Sequence, residues 1–254
     1  MIASDWRAEY LERYYSGPRD HRARWPRLVE EYTPPGARVL EIGGGPVNWT
    51  TSMMRPRARE IVGLDIDPAV KNNNFLDAAV VYDGHRFPLP DARFDIAISR
   101  WVNEHLEEPL VHFAEVQRVL RPGGLYVFRT VNLYHYAALV ARITPHRIQV
   151  PVARWLPHMP AEAHDPYPVY YRINTRGKIV AAAARTGLTP MVLTISEDRP
   201  AYGMACRPLF LAFMVYERLV NSSNRLEGLR HTIDCVLKKP TASCMKQELH
   251  RRSG

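Results

Sequence analysis

The stretch VLEIGGGPVNWT, residues 39–50, carries an acid and then three consecutive glycines directly after an apolar run. Glycine adopts positive φ without strain, and it lets another group approach the backbone closely. The run that leads into the turn, ARVLEI at residues 37–42, has the short, apolar pattern of a buried strand. A buried strand followed by a glycine-rich turn predicts a site where a ligand lies against the main chain.

Similar strand-like runs alternate with helical patterns along the chain. We expect strands at residues 37–42, 61–66, 78–83, 94–99, 124–130, 188–196 and 231–240. Residues 110–120 have apolar positions at helical spacing, and Arg121-Pro122-Gly123-Gly124 is expected to end that helix. This alternation predicts βαβ units and therefore an α/β fold. We expect a Rossmann-like, seven-stranded, mostly parallel sheet flanked by helices, with helical insertions after the fifth strand and before the last.

The chain of 254 residues is expected to form one domain. Residues 1–35 are assigned to N-terminal helices, 36–130 to a cofactor-binding core, and 131–173 to a proline-rich insertion that could cover a substrate. Residues 174–240 complete the sheet and include a helical insertion at 200–228, and residues 241–254 form a tail.

The amino-acid composition limits the expected cellular location of the protein and the expected charge of its partners. The N-terminus has no apolar signal-peptide core, and the three cysteines have neither disulfide-framework nor zinc-site spacing, so a cytoplasmic protein without a metal is expected. The net charge of +8 is concentrated late in the chain, with seven basic and two acidic side chains in residues 131–185. A positive field there favours an anionic partner, although a merely soluble basic surface gives the same counts.

Two cofactors, a dinucleotide or S-adenosylmethionine (SAM), commonly lie over a glycine-rich turn of this kind. A dinucleotide fingerprint, G-x-G-x-x-G, needs a third glycine for close packing of helix and strand. Gly43 and Gly45 fit its first two positions, but Asn48 stands at the third. This substitution weakens the dinucleotide interpretation.

The acid and glycines of E-I-G-G-G resemble the first motif of class I SAM-dependent methyltransferases, in particular the small-molecule, ubiquinone-biosynthesis-like (type 11) group. The resemblance implies that Glu41, Gly43, Gly44 and Gly45 hold the methionine part of SAM. The family often has a further glycine where Val47 stands, so this chain departs from the pattern there.

Asp65 ends the second predicted strand, where a carboxylate can accept two hydrogen bonds from vicinal ribose hydroxyls. The alternative for this residue is a helix N-cap. Residues 82–106, YDGHRFPLPDARFDIAISRWVNEHL, resemble the stretch of the same family that meets adenine. The resemblance implies an adenine contact at Asp83 and a cofactor lying across the end of the fourth strand. Further cofactor contacts are expected at Ile66, Gly84, Ser99, Arg100 and Trp101.

Methyl transfer from a sulfonium is an in-line displacement that depends on orientation, with a base where the acceptor must lose a proton. His105 and His135 are the candidate bases, and a mechanism without a base is open for an already ionised acceptor. Substrate contacts are expected at Tyr134, Arg142 and Arg147.

The resemblance implies transfer of a methyl group from SAM, with S-adenosylhomocysteine as product, and an oxygen of a small-molecule, natural-product or glycan-like acceptor is the expected target. Arginines and apolar helical residues in the two insertions favour an acceptor that is anionic or lipid-linked. N- or C-methylation stays open, as does a non-catalytic SAM-binding subunit. A nucleic-acid methyltransferase or a NAD-dependent oxidoreductase is less favoured. Neither a nucleic-acid partner nor a membrane contact is expected, and the sequence predicts no oligomeric state.

Overall fold

The computed structural model describes residues 5–16, 23–46, 49–143 and 167–241. The α-helices are α1 (Trp6–Tyr15), α2 (Arg24–Tyr32), α3 (Trp49–Met54), α4 (Pro109–Val119), α5 (Tyr136–Ile143), α6 (Arg176–Arg185) and α7 (Arg207–Asn221). The strands are β1 (Ala37–Ile42), β2 (Ala58–Asp65), β3 (Ala78–Val81), β4 (Phe94–Arg100), β5 (Leu120–Val131), β6 (Thr189–Ser196) and β7 (Thr232–Lys238). Short 3-10 helices cover Pro68–Asn72, Asn103–His105, Ala201–Ala205 and Asn224–Leu229.

The seven strands form one sheet in the order β3-β2-β1-β4-β5-β7-β6. Strands β1 to β5 pair in parallel, whereas β7 runs antiparallel to both β5 and β6. Helix α5 follows β5 and helix α7 precedes β7, as expected for the two insertions. The predicted fold is therefore confirmed. The division into segments stays a prediction, because residues 144–166 of the expected lid and residues 242–254 of the tail lie outside the described residues.

Only β1 has the predicted bounds, and the largest difference among the other strands is at the start of β5. The Pro-Gly-Gly stretch at residues 122–124 was expected only to end helix α4, yet β5 already begins at Leu120. Leu120 pairs with Phe94 of β4, and the backbones of Gly123 and Gly124 exchange hydrogen bonds with Lys239 beyond β7. These partners lie far away in sequence, so a local pattern does not reveal them.

Both faces of the sheet are covered by apolar side chains. On one face, Trp25 and Val29 of α2 pack against alternate positions of the central strands. On the other face, Phe113 and Val116 of α4 pack with Ile179 of α6. Burial on both faces gives the central strands their nearly continuous apolar pattern, as expected of parallel strands.

One ion pair lies inside this core. Arg129 of β5 donates from Nε and Nη2 to the two carboxylate oxygens of Asp234 on β7, at 2.6 and 2.8 Å. The two side chains are only 5% and 2% exposed, and the guanidinium lies 5.4 Å from the ring of Trp25. A buried pair of this kind contributes little net stability, but either charge alone would be costly.

Replacement of Asp234 by Ala is expected to lower the free energy of unfolding by about 3–5 kcal/mol, because it leaves the Arg129 guanidinium buried and unpaired. Urea unfolding of the purified variant measures this change. Glu30, which pairs with Arg57 at an exposed site, supplies the control, and Glu30→Ala is expected to cost about 0–1 kcal/mol. Equal losses for the two variants would contradict the prediction.

Candidate active site

The glycine turn after β1 has two positive-φ residues, Gly43 at +73° and Gly45 at +54°. A side chain at Gly43 would clash with Val102, which follows β4. At Gly45, by contrast, an added Cβ would meet no atom of the described residues within 4 Å, residues 47 and 48 being outside that part of the chain. Gly43 is therefore required by packing inside the protein, whereas the space beside Gly45 is open to a ligand.

Glu41 lies buried directly beneath this turn, with 2% of its surface exposed. The Thr51 hydroxyl donates to Glu41 Oε2, and Asn73 lies within 3.4 Å of both the Thr51 hydroxyl and the Gly44 carbonyl. Burial raises the pKa of Glu41 to about 8, and the negative charge of Asp65 adds to this effect. Glu41 is thus predominantly neutral at pH 7 and becomes an anion most readily when a cation approaches.

Asp65 joins the end of β2 to the glycine turn. Its Oδ2 accepts a 3.0 Å hydrogen bond from the Gly45 amide, and its Oδ1 accepts one of the same length from Asp67. Each carboxylate oxygen can accept a second bond. The Asp67 side chain caps the following 3-10 helix instead, because it accepts a hydrogen bond from the Ala69 amide. The N-cap alternative for Asp65 is therefore not needed.

Asp83 and Gly84 follow β3 on the exposed surface. Asp83 Oδ1 accepts from the amides of His85 and Arg86, at 2.9 and 3.3 Å, and the His85 bond in particular lowers the pKa of this carboxyl. A Cβ on Gly84 would lie 3.8 Å from Ile66, which is 48% exposed. An exposed apolar side chain beside a glycine leaves room for a flat ring next to the Asp83 carboxylate.

The end of β4 is fixed from below by a buried polar network. The Tyr126 hydroxyl is 2.9 Å from the Ser99 hydroxyl, donates to Asn103 Oδ1, and lies 3.2 Å from His112 Nε2. The Ser99 hydroxyl is thus engaged inside the core. Burial lowers the pKa of His112 to about 4, so this histidine is neutral at pH 7.

Trp101 has a φ of +59°, which is strained for a bulky residue. Its amide donates to the Arg129 carbonyl, and its ring lies 5.9 Å from His231 and near the guanidinium of Arg100. These contacts keep the strained residue at the end of β4, with its aromatic ring near the start of β7.

The Glu104-His105 pair anchors a distant segment. Glu104 is buried, accepts from the Thr130 hydroxyl, and its backbone carbonyl accepts from the amides of Tyr170 and Tyr171. His105 Nδ1 lies 2.9 Å from the Pro168 carbonyl. These contacts give the pair a structural role in holding residues 168–171 against the site; a catalytic role for His105 stays a prediction.

His135 is completely buried at the start of α5. The Ala137 amide donates to its Nδ1 at 3.3 Å, and burial lowers the pKa of the ring to about 4. Tyr134 beside it is 57% exposed. Arg142 belongs to α5, but its side chain lies outside the described part of the structure, as does Arg147 altogether.

The structure thus brings together Glu41, the glycine turn, Asp65 and Trp101 at the carboxyl ends of β1, β2 and β4, with Asp83 nearby at the end of β3. Sequence reasoning missed two residues at the same edge, Glu197 after β6 and His231 before β7. They lie outside any motif, and the sequence carries no local signal for them.

Comparison with known proteins identifies the core of the chain. Residues 40–128 match the family model described as a methyltransferase domain. The matched segment contains the glycine turn, Asp65, Asp83 and the end of β4. The core of this chain is a class I SAM-dependent methyltransferase domain. The resemblance inferred from the motifs of residues 36–130 is thereby confirmed.

Several known methyltransferases are similar to this chain in sequence or in fold. An uncharacterised methyltransferase of Mycobacterium sp. (strain JLS) is 33% identical over 137 residues, covering 50% of this chain and 54% of that protein. A malonyl-acyl-carrier-protein O-methyltransferase of Serratia marcescens is 31% identical over 101 residues, covering 38% and 39%. The chain therefore spans about half or less of the length of these relatives. The solved structure of a SAM-dependent methyltransferase from Mesorhizobium loti superposes with a TM-score of 0.55 at 19% identity, covering 86% of this chain and 99% of that one, and so shares the fold.

Three further observations concern the surroundings of the methyltransferase domain. Among the described residues, no group of three or more His, Cys, Asp or Glu side chains is arranged to hold a metal ion. In the same part of the chain, no helix combines the length and apolarity that crossing a membrane requires. A cleft of about 740 Å³ between α2, β6 and α7 contains none of the predicted site residues.

Replacement of Gly45 by Ala is expected to weaken SAM binding roughly tenfold or more, about 1.4 kcal/mol, because the methyl group enters the open space beside the turn. Calorimetric titration with SAM measures the affinity. Gly36 is a matched control, since its φ is +73° and its surroundings are equally open. Both variants lose about 1–2 kcal/mol of stability to left-handed strain, and equal SAM affinities in the two would count against the site.

Binding of SAM is expected to release roughly one proton at pH 7, because the cationic ammonium favours the ionised form of Glu41, whose pKa is about 8 beforehand. Titrations in phosphate and in Tris, which differ in ionisation enthalpy, report the release as a difference in observed heat. Glu41→Gln should bind more weakly and show no such difference. Identical heats in both buffers for the unmodified protein would refute this assignment.

Proposed function

We propose that the chain is a SAM-dependent methyltransferase that transfers the methyl group to an oxygen of a small-molecule or glycan-like acceptor in a biosynthetic reaction. The observation that carries the proposal is the set of contacts around Gly45. No described residue lies beside Gly45, its amide is bonded to Asp65, and the buried acid Glu41 lies beneath the same turn. This set matches the three parts of SAM that need recognition at that edge: sulfonium end, ribose and ammonium.

The ribose and adenine contacts support SAM further. Asp65 retains acceptor capacity on both carboxylate oxygens, so it can bind a ribose diol without losing its bonds to the turn. Ile66 and Gly84 leave room for a ring, next to an Asp83 carboxylate that can accept from an adenine amino group. A dinucleotide also contains an adenosine, so these contacts do not decide between the cofactors. Glu41 favours SAM, because the methionine part of SAM offers an ammonium group to a buried acid at this turn.

Oxygen as the methylated atom rests on two observations. The Serratia marcescens relative is, by its name, an O-methyltransferase. The carboxyl edge of the sheet also holds the buried acids Glu104 and Glu197, and a carboxylate there suits a hydroxyl that must lose a proton.

An amphiphilic acceptor is supported by exposed apolar side chains on α7. Helix α7 exposes Leu211, Val215 and Leu219, spaced four residues apart on one side. Tyr136 of α5 packs against Phe213 of the same helix, with ring centroids 5.3 Å apart. Exposed apolar side chains on a helix that contacts α5 favour an acceptor with a hydrophobic part.

Calorimetric titration with SAM, S-adenosylhomocysteine and NAD⁺ tests the cofactor. We expect micromolar affinity for the first two and no binding of NAD⁺. Asp65→Asn should weaken SAM binding roughly tenfold or more, because ribose hydrogen bonds to a charged acceptor are lost. Asp77→Asn is the control, because Asp77 accepts a comparable backbone bond from Ile61 away from the site. Binding of NAD⁺ alone would replace the proposal with hydride transfer.

The acceptor class is tested with SAM carrying a ¹³C-labelled methyl group. The labelled cofactor is incubated with matched sets of phenols and benzoates, and products are detected by NMR and mass spectrometry. Label on oxygen of either set supports the proposal. Label found only on nitrogen or carbon of added amines or enols would favour the alternative reactions.

A further inference from the structure

Three side chains that no motif connects meet at the carboxyl edge of the sheet. His135 follows β5, Glu197 follows β6, and His231 precedes β7. The rings of His135 and His231 lie 4.7 Å apart, and the His231 ring lies 5.9 Å from Trp101. This group, called the edge cluster below, therefore lies next to the strained tryptophan that ends β4.

Glu197 is the acid of the edge cluster and is held on both sides. Its Oε2 accepts the backbone N–H of His231 at 2.7 Å, and its Oε1 lies 3.4 Å from His135 Nε2. Its backbone exchanges two hydrogen bonds with the amide side chain of Asn221 on α7. The carboxylate is thus fixed in position without being neutralised by an arginine or lysine in the described part of the chain.

The tautomer of His135 follows from its contacts. Because the Ala137 amide donates to Nδ1, that nitrogen carries the lone pair and Nε2 carries the proton. Nε2 finds no partner of good hydrogen-bond geometry among the described residues and faces Glu197 Oε1. His135 is therefore arranged to support a carboxylate rather than to accept a proton from an acceptor.

We infer that Glu197 is the general base of the proposed methyl transfer, taking the proton of a hydroxyl acceptor, and that His135 is its positioning residue. The inference rests on the proposed function. The acceptor oxygen forms a bond to the methyl carbon, the S–CH₃ bond breaks, and its electron pair stays on sulfur as S-adenosylhomocysteine. The hydroxyl proton passes to Glu197 Oε1, which yields the methyl ether and a protonated Glu197.

The surroundings of Glu197 suit this role. Burial raises its pKa to about 7, partly offset by His231, while Asp198 and Glu217 add repulsion. A base is most effective when its pKa lies near the working pH. The titratable groups near Glu197 are His135, His231, Asp198, Glu217, Tyr15 and Tyr216. Burial lowers the pKa of both histidines to about 4, so they stay neutral while Glu197 titrates.

The test compares Glu197→Gln with the unmodified protein on the matched phenols and benzoates, with SAM affinity and thermal stability recorded for both. A benzoate is already ionised and needs no base. For phenols, we expect Glu197→Gln to lower kcat roughly 100-fold or more, with SAM affinity and benzoate rates within about threefold. The pH profile of kcat/KM for phenols should rise through about pH 7, where Glu197 ionises, and this rise should vanish in the variant.

His135 supplies a second, conservative comparison. His135→Gln can retain an N–H towards Glu197, whereas His135→Leu removes it. Loss of that donor destabilises the carboxylate, so the rise in the pH profile should move to higher pH in His135→Leu and return towards its original position in His135→Gln. A purely structural role would change stability without moving the profile.

Unchanged phenol rates in Glu197→Gln, or an unchanged pH profile, would overturn the role of Glu197 and leave the proposed function standing. Methylation of benzoates alone by the unmodified protein would also overturn it, because no proton is then transferred. Bound SAM without methylation of either set would instead overturn the proposed acceptor class, and the inference with it.

Discussion

The hydrogen bond from the Gly45 amide to the Asp65 carboxylate is the contact on which the rest of the site depends. It joins the turn after β1 to the end of β2, and a second backbone bond, from Gly43 to the Leu64 carbonyl, runs parallel to it. On its other side, the turn lies against Val102 after β4. Three strand ends are thereby fixed around one short loop. A ligand that binds to this loop binds to the centre of the sheet rather than to a separate surface.

The same turn also brings two acidic side chains close together. Glu41 and Asp65 are two acids at one turn, and Glu41 is nearly without solvent. If both carboxylates were ionised they would repel each other, and burial of Glu41 would increase the free-energy cost of that repulsion. The protein resolves the conflict by keeping Glu41 protonated and by giving Asp65 two backbone N–H donors. A cationic ligand would resolve it differently, since it would stabilise both anions at once, and we therefore expect the site to prefer a ligand with an ammonium group to a neutral one.

Sequence alone predicted the parts of the molecule that depend on local pattern. The strand β1 was predicted with its observed boundaries, because its buried residues and the glycine turn are contiguous. The predicted start of β5 was wrong, because residues 120–124 pair with Phe94 and Lys239, which are distant in the sequence. Within the site, the motif residues Glu41 and Asp65 lie where the sequence placed them, at adjacent strand ends. Their ligand contacts stay predictions.

The edge cluster could not be predicted because it is a product of topology. If all strands were parallel, every strand would begin at the edge of the sheet opposite the site, and only strand ends would lie at the site. Strand β7 runs antiparallel to its neighbours, so its first residues lie at the same edge as the last residues of β5 and β6. His231 before β7 therefore meets His135 and Glu197, although the three are far apart in the sequence. The reversal of one strand thus adds a second set of side chains to the carboxyl edge, beside the set that the parallel strands already supply for the cofactor. In the proposed reaction the first set would hold the cofactor and the second would face the acceptor, and the reversed strand brings the second set to the edge without displacing the first.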